Sequence, residues 1–561
     1  MPFFRMKTKQ PAKRIILIKL NKSNITAKSQ LITKALITPL VIIALASCGD
    51  LTNESLYKNS LVYCSEGSPS TFNPQLTSSN TTSDAVSNTL YNMLISINHE
   101  TGQIIPELAT KWEKSADGLT YTFELRRGVQ FHNTDYFTPT RHFNADDVLF
   151  SFKRTVDTRH PYHYIGGGNY RRTANDSVVN IKALSSYKIQ FELNRPDSTF
   201  MFNLATDYSV ILSKEYADHL WDAGIPNNID KQPIGTGPYK FREYRRDELI
   251  RYYRHENYWK DEKVINQLVF DITQNGSSRI AKLLTHECDI SAYPLPQELP
   301  LLEKREDIKV TQGAVLNVGY WAFNTEREPF NNVMVRRALS HAINIDAIMG
   351  AVYYNQATKA DSLLPPISWA YHRNEQPIQY NPRRAKQMLE QAGYPEGFEM
   401  TIWAPPIQRD YNPNAQKMAE LMQSDLAKIN VKAKIISYEW ATFRKRLANG
   451  EHDSVLIGWT ADNADPDNFL RPTLSCSAKS SGSNRALWCN EEFDRLLTEA
   501  TVESEIPKRK ALYRNVQTII NREVPLFPFA HSHKFQAHLK NITGMKINPY
   551  GSIALSKARK Q

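Results

Sequence analysis

The chain is too long to fold around a single hydrophobic core. It has 561 residues, whereas one core stops growing at about 250–300 residues. Removing the first 47 of the 561 residues, which resemble a cleavable leader, still leaves 514. The sequence therefore predicts two or more domains.

The first 47 residues have the pattern of a secretory leader. They contain nine Lys and Arg residues and no Asp or Glu, and an apolar run covers Ala35 to Ala46. A basic region, a short apolar stretch and small residues at a cleavage point are typical of such leaders. The run is shorter than the about 20 residues that cross a bilayer as a helix. We expect residues 1–47 to be a signal peptide, with a membrane anchor or a buried helix as the alternatives.

The basic character of the chain belongs mostly to this leader. The formal net charge is +11, and removing the nine positive charges of the leader leaves +2 for residues 48–561. A nucleic-acid-binding protein normally carries a strongly basic face. No nucleic-acid partner is therefore expected.

The end of the leader is compatible with two processing routes. Leu45-Ala46-Ser47-Cys48 is similar to a bacterial lipobox, in which Cys48 is lipidated, whereas Ala44-Leu45-Ala46 fits the A-x-A cleavage rule. The chain has five cysteines, and an odd number in an exported protein leaves one thiol without a partner. This arithmetic favours lipidation of Cys48.

The four remaining cysteines are Cys64, Cys288, Cys476 and Cys489. Cys476 and Cys489 lie thirteen residues apart. In an oxidising compartment we expect them to close a small loop, which stabilises the fold by about 3 kcal/mol on the loop-entropy model.

Hydrophobic periodicity predicts a mixed α and β chain. Alternating residues predict a strand at Leu119–Leu125, and a long apolar run predicts a buried strand at Val315–Asn324. Helices are predicted after Asn144 and Asn381, which are good N-caps, with Pro382 at the first helical position of the second one. Further predicted elements are helices at Val335–Met349 and Ala415–Lys428, two strands within Val178–Leu193, and strands at Glu399–Trp403, Val431–Tyr438 and Ser454–Ile457.

The motifs of familiar enzymes are missing from the sequence. There is no G-x-S-x-G elbow, no H-E-x-x-H, no Walker A loop and no G-x-G-x-x-G that opens a helix. His531 and His533 are two residues apart and would share one face of a strand, where we expect a solvated face rather than a metal pair. The sequence predicts neither an enzyme nor a bound metal.

The densest set of polar and aromatic residues is Gly458–Phe469, directly after the predicted strand at Ser454–Ile457. It contains Trp459 and three carboxylates. Ligand crevices of α/β folds lie at the carboxyl ends of strands. A ligand site, a metal-binding acid cluster and an Asx-rich turn without function all stay open from these residues alone. The three carboxylates are Asp462, Asp465 and Asp467.

A series of motifs runs in order along nearly all of residues 48–561. They are Pro106-Glu107-Leu108-Ala109 with Trp112, Leu125-Arg126-Arg127-Gly128-Val129-Gln130-Phe131-His132, Phe137-Thr138-Pro139-Thr140-Arg141, Asn144-Ala145-Asp146-Asp147-Val148 and Gly235-Thr236-Gly237-Pro238-Tyr239. This series resembles the bacterial extracellular solute-binding proteins of family 5. Ser368–Tyr371 and Leu470–Cys476 are similar to its Sap-type peptide-transport branch, and Arg409–Asn414 and Tyr438–Trp440 are similar to its dipeptide-binding branch.

The resemblance implies a fold and a division of the chain. The fold is α/β and two-lobed, a periplasmic-binding-protein fold of type II in the large peptide-binding cluster, with an extra subdomain in the N-terminal lobe. Residues 48–312 are expected to form the N-terminal lobe with the inserted subdomain. Residues 313–530 would form the second α/β lobe, and residues 531–561 would return to the first lobe.

The resemblance also implies a function. A receptor of this family closes on its ligand and delivers it to the permease subunits of an inner-membrane ABC transporter. We therefore expect a monomeric periplasmic protein without a cofactor that captures short peptides, including antimicrobial peptides in a Sap-type role. Lipidated Cys48 would anchor it to the membrane.

The resemblance to the dipeptide-binding branch also implies roles for individual site residues. Asp462 would hold the peptide ammonium group and Arg409 the peptide carboxylate. Trp440, Trp459 and Tyr411 would line the pocket. Family disulfides correspond to Cys64–Cys288 and Cys476–Cys489, which leaves Cys48 without a partner. Two alternatives remain: a haem-binding receptor of the same family, and a secreted hydrolase that uses the three carboxylates of Gly458–Phe469.

Overall fold

A computed structural model describes most of the chain. The described ranges are 60–76, 79–98, 101–166, 177–262, 264–480, 483–550 and 553–561. The predicted signal peptide, residues 1–47, and the predicted lipidation site Cys48 lie outside them.

The described residues form twenty β-strands. They are β1 (Ser60–Ser65), β2 (Ile95–Ile97), β3 (Ile104–Pro106), β4 (Ala109–Lys114), β5 (Thr120–Leu125), β6 (Val178–Ser185), β7 (Lys188–Leu193), β8 (Tyr239–Arg245), β9 (Leu249–Arg254), β10 (Gln267–Ile272), β11 (Ile290–Ser291), β12 (Ile308–Ala314), β13 (Asn317–Phe323), β14 (Ala357–Lys359), β15 (Glu399–Trp403), β16 (Lys432–Ile436), β17 (Ser454–Thr460), β18 (Leu526–Leu539), β19 (Ile542–Thr543) and β20 (Arg559–Lys560).

The same residues form fifteen α-helices. They are α1 (Asn80–Leu90), α2 (Ala145–Val156), α3 (Phe200–Leu204), α4 (Lys214–Asp222), α5 (Gly276–Leu284), α6 (Leu299–Leu302), α7 (Val333–Ala342), α8 (Ile345–Ala351), α9 (Pro382–Gln391), α10 (Ala415–Ala427), α11 (Trp440–Ala448), α12 (Asp467–Leu474), α13 (Cys476–Ser480), α14 (Glu491–Val502) and α15 (Ile506–Glu523). Within the described ranges, no helix has both the length and the apolar character needed to cross a membrane.

Twelve strands form one mixed sheet that runs through both lobes. Ten of them follow the order β16-β15-β17-β13-β18-β11-β1-β10-β9-β8, and β12 and β14 each pair with β18. Strand β18 is 14 residues long. Its first half pairs with β13 and β14, and its second half pairs with β11 and β12, all antiparallel. One strand therefore belongs to both lobes.

The lobes have separate hydrophobic cores. The first-lobe core contains residues from β1 to β12 and is completed by residues after His533, such as Ala537 and Leu555. The second lobe has a core on each face of β13, because alternate residues of a strand point to opposite faces. Trp321 belongs to one of these cores and Tyr320 to the other. The two-lobed α/β fold is as expected, while the boundaries at 312/313 and 530/531 stay predictions.

A smaller antiparallel sheet, in the order β4-β5-β7-β6, forms the extra subdomain of the first lobe. Helix α2 packs against β6 and β7. Tyr121, Phe123 and Leu125 alternate along β5 and are buried, whereas the residues between them are half-buried. They join the core of the first lobe, so the subdomain is part of that lobe's packing.

Two helix starts follow the cap residues predicted from the sequence. The Asn144 side chain accepts a 2.8 Å hydrogen bond from the Asp146 N–H, and the Asp147 carboxylate accepts from the Asn144 N–H at 3.0 Å. The Asn381 side chain accepts from the Arg384 N–H at 3.0 Å. These contacts satisfy backbone donors that the first turn leaves open, and they confirm both predictions.

The single helix predicted over Val335–Met349 is wrong. Helix α7 ends at Ala342 and α8 begins at Ile345. Between them the Asn344 side chain accepts from the Ala347 N–H at 3.1 Å, and the Asn344 N–H donates to the Asp425 carboxylate at 2.8 Å. Asn344 is thus an N-cap inside a pattern with continuous helical period.

Candidate functional site

The segment Arg409–Asn412 is fixed against the central strands of the second lobe. Arg409 and Asn412 exchange two backbone hydrogen bonds of 3.0 Å, and the Tyr353 hydroxyl donates to the Tyr411 carbonyl at 2.9 Å. The Tyr411 ring lies so close to Gly458 on β17 that a Cβ at Gly458 would overlap it. The glycine lets this segment sit directly on the sheet.

Arg409 lies on the face of an aromatic ring. Its guanidinium carbon is 4.4 Å from the centre of the Trp440 ring, and Trp440 stacks on Phe443 in the first turn of α11 with ring centres 5.8 Å apart. In the described residues, no carboxylate forms an ion pair with Arg409. The planar fork is therefore held in place while its hydrogen-bonding edge remains available for an anion.

Arg409 also lines a cavity of about 40 Å³ between the lobes. The first lobe contributes Tyr293 to this cavity, the second lobe contributes Tyr353, and the shared strand β18 contributes His533 and Lys534. The predicted carboxylate-binding residue thus lies where the chain passes between the lobes.

Trp459 and Asp462 follow each other at the end of β17. The strand is longer than predicted and includes Trp459, which pairs with Val318 of β13. The Trp459 indole N–H is buried and finds no acceptor among the described residues. Asp462 lies in the next turn, where its N–H donates to the Asn468 side chain at 2.9 Å and its side chain is half-buried. Tyr411, Trp440 and Trp459 pack against the same core.

The three carboxylates of Gly458–Phe469 do not form one cluster. Asp465 forms a fully buried ion pair with Arg509 at 2.8 Å, and Asp467 pairs with Arg471 at 2.8 Å on α12. Across the described ranges, no group of three or more His, Cys, Asp or Glu side chains could hold a metal ion. The acid-cluster interpretation therefore has no geometric support.

Acidic side chains of the first lobe reach the same boundary, and sequence reasoning missed them. Asp84 on α1 accepts hydrogen bonds from the Tyr293 hydroxyl at 3.1 Å and the Ile553 N–H at 2.7 Å. Burial raises the pKa of Asp84 to about 7, against the opposing effect of Lys534. Glu66, directly after β1, also has a pKa raised by burial.

A second-lobe acid faces this group. The charge of Asp410 adds to the rise that burial causes in the pKa of Glu66. Asp410 and Glu66 are more than 300 residues apart in the sequence, so no local motif indicates their proximity.

Both predicted disulfides are present. Cys64 on β1 is bonded to Cys288, with Cα atoms 5.8 Å apart, and Cys476 is bonded to Cys489, with Cα atoms 4.6 Å apart. The first bond ties β1 to the turn before β11, and the second closes the loop between α12 and α14. The predicted connectivity is confirmed.

The expectation of a solvated face at His531 and His533 is wrong. His531 is buried, and its Nδ1 lies 2.7 Å from the Asn317 carbonyl oxygen. His533 is half-buried and lines the cavity next to Arg409. Strand β18 is covered because it lies between the two lobes.

Two α/β lobes that share a strand and present charged and aromatic side chains at their boundary define the class of two-lobed binding proteins. The chain belongs to the bacterial extracellular solute-binding proteins, family 5, whose middle-region model matches residues 103–481.

Relatives with established names span almost the whole chain. The dipeptide-binding protein of Escherichia coli K12 is 43% identical over 501 residues, which cover 89% of this chain and 94% of that protein. The heme-binding protein A of Haemophilus influenzae is 42% identical and covers 89% and 92%. The peptide transport periplasmic protein SapA of Salmonella typhimurium is 39% identical and covers 88% and 91%.

A solved structure shows the same fold. The dipeptide-binding protein from Pseudoalteromonas sp. SM9913, in complex with Met-Leu, is 50% identical and superposes with a TM-score of 0.85. The match covers 90% of this chain and all of that one. The resemblance to family 5 and to its dipeptide-binding and SapA branches is confirmed.

Proposed function

We propose that this protein is the receptor of a peptide-importing ABC transporter, which binds short peptides between its lobes without chemical conversion. The observation that carries this proposal is the guanidinium of Arg409. It is fixed on the Trp440 ring at the interlobe boundary, and the described residues offer it no carboxylate. The names of the dipeptide-binding relatives support a peptide as the missing anion.

Two opposite charges suit a peptide zwitterion. An ion that leaves water must be compensated by charge and hydrogen bonds, and an arginine fork matches a carboxylate with two parallel bonds. Arg409 would bind the peptide carboxylate, and Asp462 would bind the ammonium group. Trp440, Trp459 and Tyr411 would form the walls, because they border the same core as the two charged segments.

Ligand binding would favour the closed arrangement of the lobes. A ligand shifts such an equilibrium by its differential affinity for the two states. The proposed lobes are residues 48–312 and 313–530, with residues 531–561 returning to the first lobe. Strand β18 pairs with strands of both lobes, so closure would bend this strand near its middle.

Anchoring and delivery complete the proposal. Lipidation of Cys48 would hold the monomeric protein on the periplasmic side of the inner membrane, where it would pass its peptide to permease subunits. The similarity to SapA supports a Sap-type role that includes antimicrobial peptides. Mass spectrometry of the mature N-terminal peptide would show a diacylglyceryl group on Cys48, whereas cleavage after Ala46 would contradict the anchor.

Calorimetry with di- to pentapeptides tests the proposed function. Asp462→Ala should weaken peptide binding by about 2 kcal/mol or more, because the peptide ammonium loses its counter-charge. Asp346→Ala is the matched control, since the Asp346 carboxylate is exposed on the second lobe and pairs with Lys359 at 2.7 Å. Unchanged affinity in Asp462→Ala contradicts the assignment. A Soret shift with haemin and no heat with any peptide would favour the haem-binding alternative.

A further inference from the structure

The loop between Cys476 and Cys489 presents an arginine that the proposed function has not used. The disulfide closes the loop, and the Asn484 amide donates to the carbonyls of Ser475 at 3.1 Å and Trp488 at 2.7 Å. The His452 Nε2 lies 2.7 Å from the carbonyl oxygen of Arg485. Arg485 is therefore held on a loop whose backbone is fixed on both sides.

Within the described ranges, the half-buried guanidinium of Arg485 lacks the partners that Arg279, Arg336 and Arg509 have. Its Nη1 atom is buried and finds no acceptor among the described residues. By contrast, Arg279 and Arg336 donate to backbone carbonyls, and Arg509 is paired with Asp465. A buried cationic donor without a partner costs free energy, so a ligand acceptor placed there would be stabilising.

Arg485 lies near the proposed peptide site, because its neighbour Ala486 belongs to the core against which Tyr411 and Trp440 pack. Burial lowers the pKa of Arg485, and the ionisable groups that act on it include Tyr320, Arg444 and Tyr411. Tyr411 follows Arg409 by two residues and is also subject to the Arg409 charge. Arg485 therefore shares Tyr411 as a neighbour with the proposed carboxylate-binding residue.

A third arginine, Arg444, is exposed and lies near Arg409 and Arg485. The guanidinium carbon of Arg444 is 6.0 Å from the centre of the Trp440 ring that supports Arg409. In the described part of the chain, neither Arg409, Arg444 nor Arg485 forms an ion pair with a carboxylate. One peptide carboxylate would leave most of this positive charge unbalanced.

Two acids, Asp410 and Glu439, lie near these arginines in the sequence. Asp410 influences Tyr63, Glu66 and Tyr293 of the first lobe. The Glu439 carboxylate accepts a 3.1 Å hydrogen bond from the Thr442 N–H at the start of α11. Asp410 also acts on Tyr411, but so do Arg409 and Arg485, so two cations face one acid beside Tyr411.

We propose that Arg485, with Arg444 at its rim, forms a second anion subsite that selects peptides with Asp or Glu at the C-terminal position. This inference rests on the proposed function. The terminal carboxylate would occupy Arg409, and the side-chain carboxylate of the same residue would supply the acceptor that Arg485 lacks. A guanidinium fixed before binding loses little freedom when the carboxylate arrives.

Calorimetry with three dipeptides, Ala-Glu, Ala-Gln and Ala-Ala, tests the subsite on the full-length protein freed of co-purifying ligand. Ala-Glu should bind the wild type at least about tenfold more tightly than Ala-Gln, as a charge-assisted hydrogen bond predicts. Arg485→Gln should reduce this ratio to about one and leave Ala-Ala within about threefold. Arg446→Gln is the control, because Arg446 lies on the same helix as Arg444 and already pairs with Glu451 at 2.6 Å.

The outcomes separate this inference from the proposed function. A wild type that binds Ala-Ala and Ala-Gln but shows no preference for Ala-Glu overturns the subsite alone. A wild type that binds no peptide overturns both. If Arg485→Gln does not fold, two measurements still decide the test. They are the ratio of the affinities for Ala-Glu and Ala-Gln in the wild type, and the same ratio in Arg444→Gln, whose position is exposed. Arg444→Gln should lower the ratio about threefold, and an unchanged ratio in both arginine variants counts against the subsite.

Discussion

The guanidinium carbon of Arg409 lies 4.4 Å from the centre of the Trp440 ring, in a cleft where its fork has no carboxylate among the described residues. A guanidinium can stack flat on an indole and still direct two donors at one carboxylate, which an ammonium group cannot do. The geometry thus depends on arginine and not only on positive charge.

Arg409→Lys should weaken peptide binding about tenfold or more, because lysine keeps the charge but loses the fork and the stacking. Calorimetry with a dipeptide measures the effect. Arg446→Lys is a matched control, since Arg446 lies 4.4 Å from the centre of the Tyr438 ring and pairs with Glu451. Equal affinities for Arg409→Lys and the wild type would mean that charge alone suffices.

Gly458→Ala should destabilise the second lobe by about 1–3 kcal/mol, the usual cost of overpacking. A Cβ at Gly458 would overlap the Val318 carbonyl oxygen and the Tyr411 ring. Because displacement of Tyr411 also moves Arg409, peptide affinity should fall as well. Gly350→Ala is the control, since nothing lies within 4 Å of a Cβ there. Chemical unfolding and calorimetry report the two effects, and a stable variant with normal affinity would contradict this account.

Local signals explain which parts of the fold could be predicted from the sequence. Caps such as Asn144 and Asn381 act within three residues, so their helices were placed correctly. Asn344 is also a cap, but the apolar period of Val335–Met349 continues across it, and the break depends on the long-range bond of Asn344 to Asp425 as well as on its bond to Ala347.

The candidate site also has one part that could be predicted from the sequence and one part that could not. The motif around Trp459 and Asp462 is continuous in sequence and could be identified from the family resemblance. Asp84 and Glu66 meet the second lobe only after the chain has folded across more than 300 residues. Arg485 carries no motif either, and its relevance follows from its buried Nη1 atom, which has no acceptor among the described residues, and from its proximity to Tyr411.

Asp84 should make the protein less stable as the pH rises from about 4 to about 7. Burial raises its pKa to about 7 in the folded state, whereas an unfolded aspartate titrates near its ordinary value. The folded state therefore binds the extra proton in this window, and stability is lost as the pH rises, by at most about 4 kcal/mol. Above about pH 7 the effect is constant. Lys534, Glu66 and Tyr293 are the other groups that act on Asp84.

Asp84→Asn tests this dependence, because asparagine keeps an acceptor for the Ile553 N–H but does not titrate. Urea unfolding of wild type and variant at half-unit pH steps gives the difference in free energy of unfolding. The difference should change steadily from pH 4 to pH 7 in favour of the variant. A difference independent of pH would show that Asp84 titrates normally.

The buried pair of Asp465 and Arg509 should show strong coupling. Both side chains are at most 2% exposed and 2.8 Å apart, and the Tyr513 hydroxyl also donates to Asp465 at 3.1 Å. Arg509→Met leaves a carboxylate buried without its cation, which costs about 3–5 kcal/mol. The double variant Asp465→Asn/Arg509→Met removes that charge as well, so most of the loss should be recovered.

Arg495→Met at the exposed pair with Glu499 is the control and should cost less than about 1 kcal/mol. The free energies of unfolding of the wild type, the single variants Asp465→Asn and Arg509→Met, and the double variant give the coupling. A double variant as unstable as Arg509→Met would show that packing, not charge, makes Arg509 necessary.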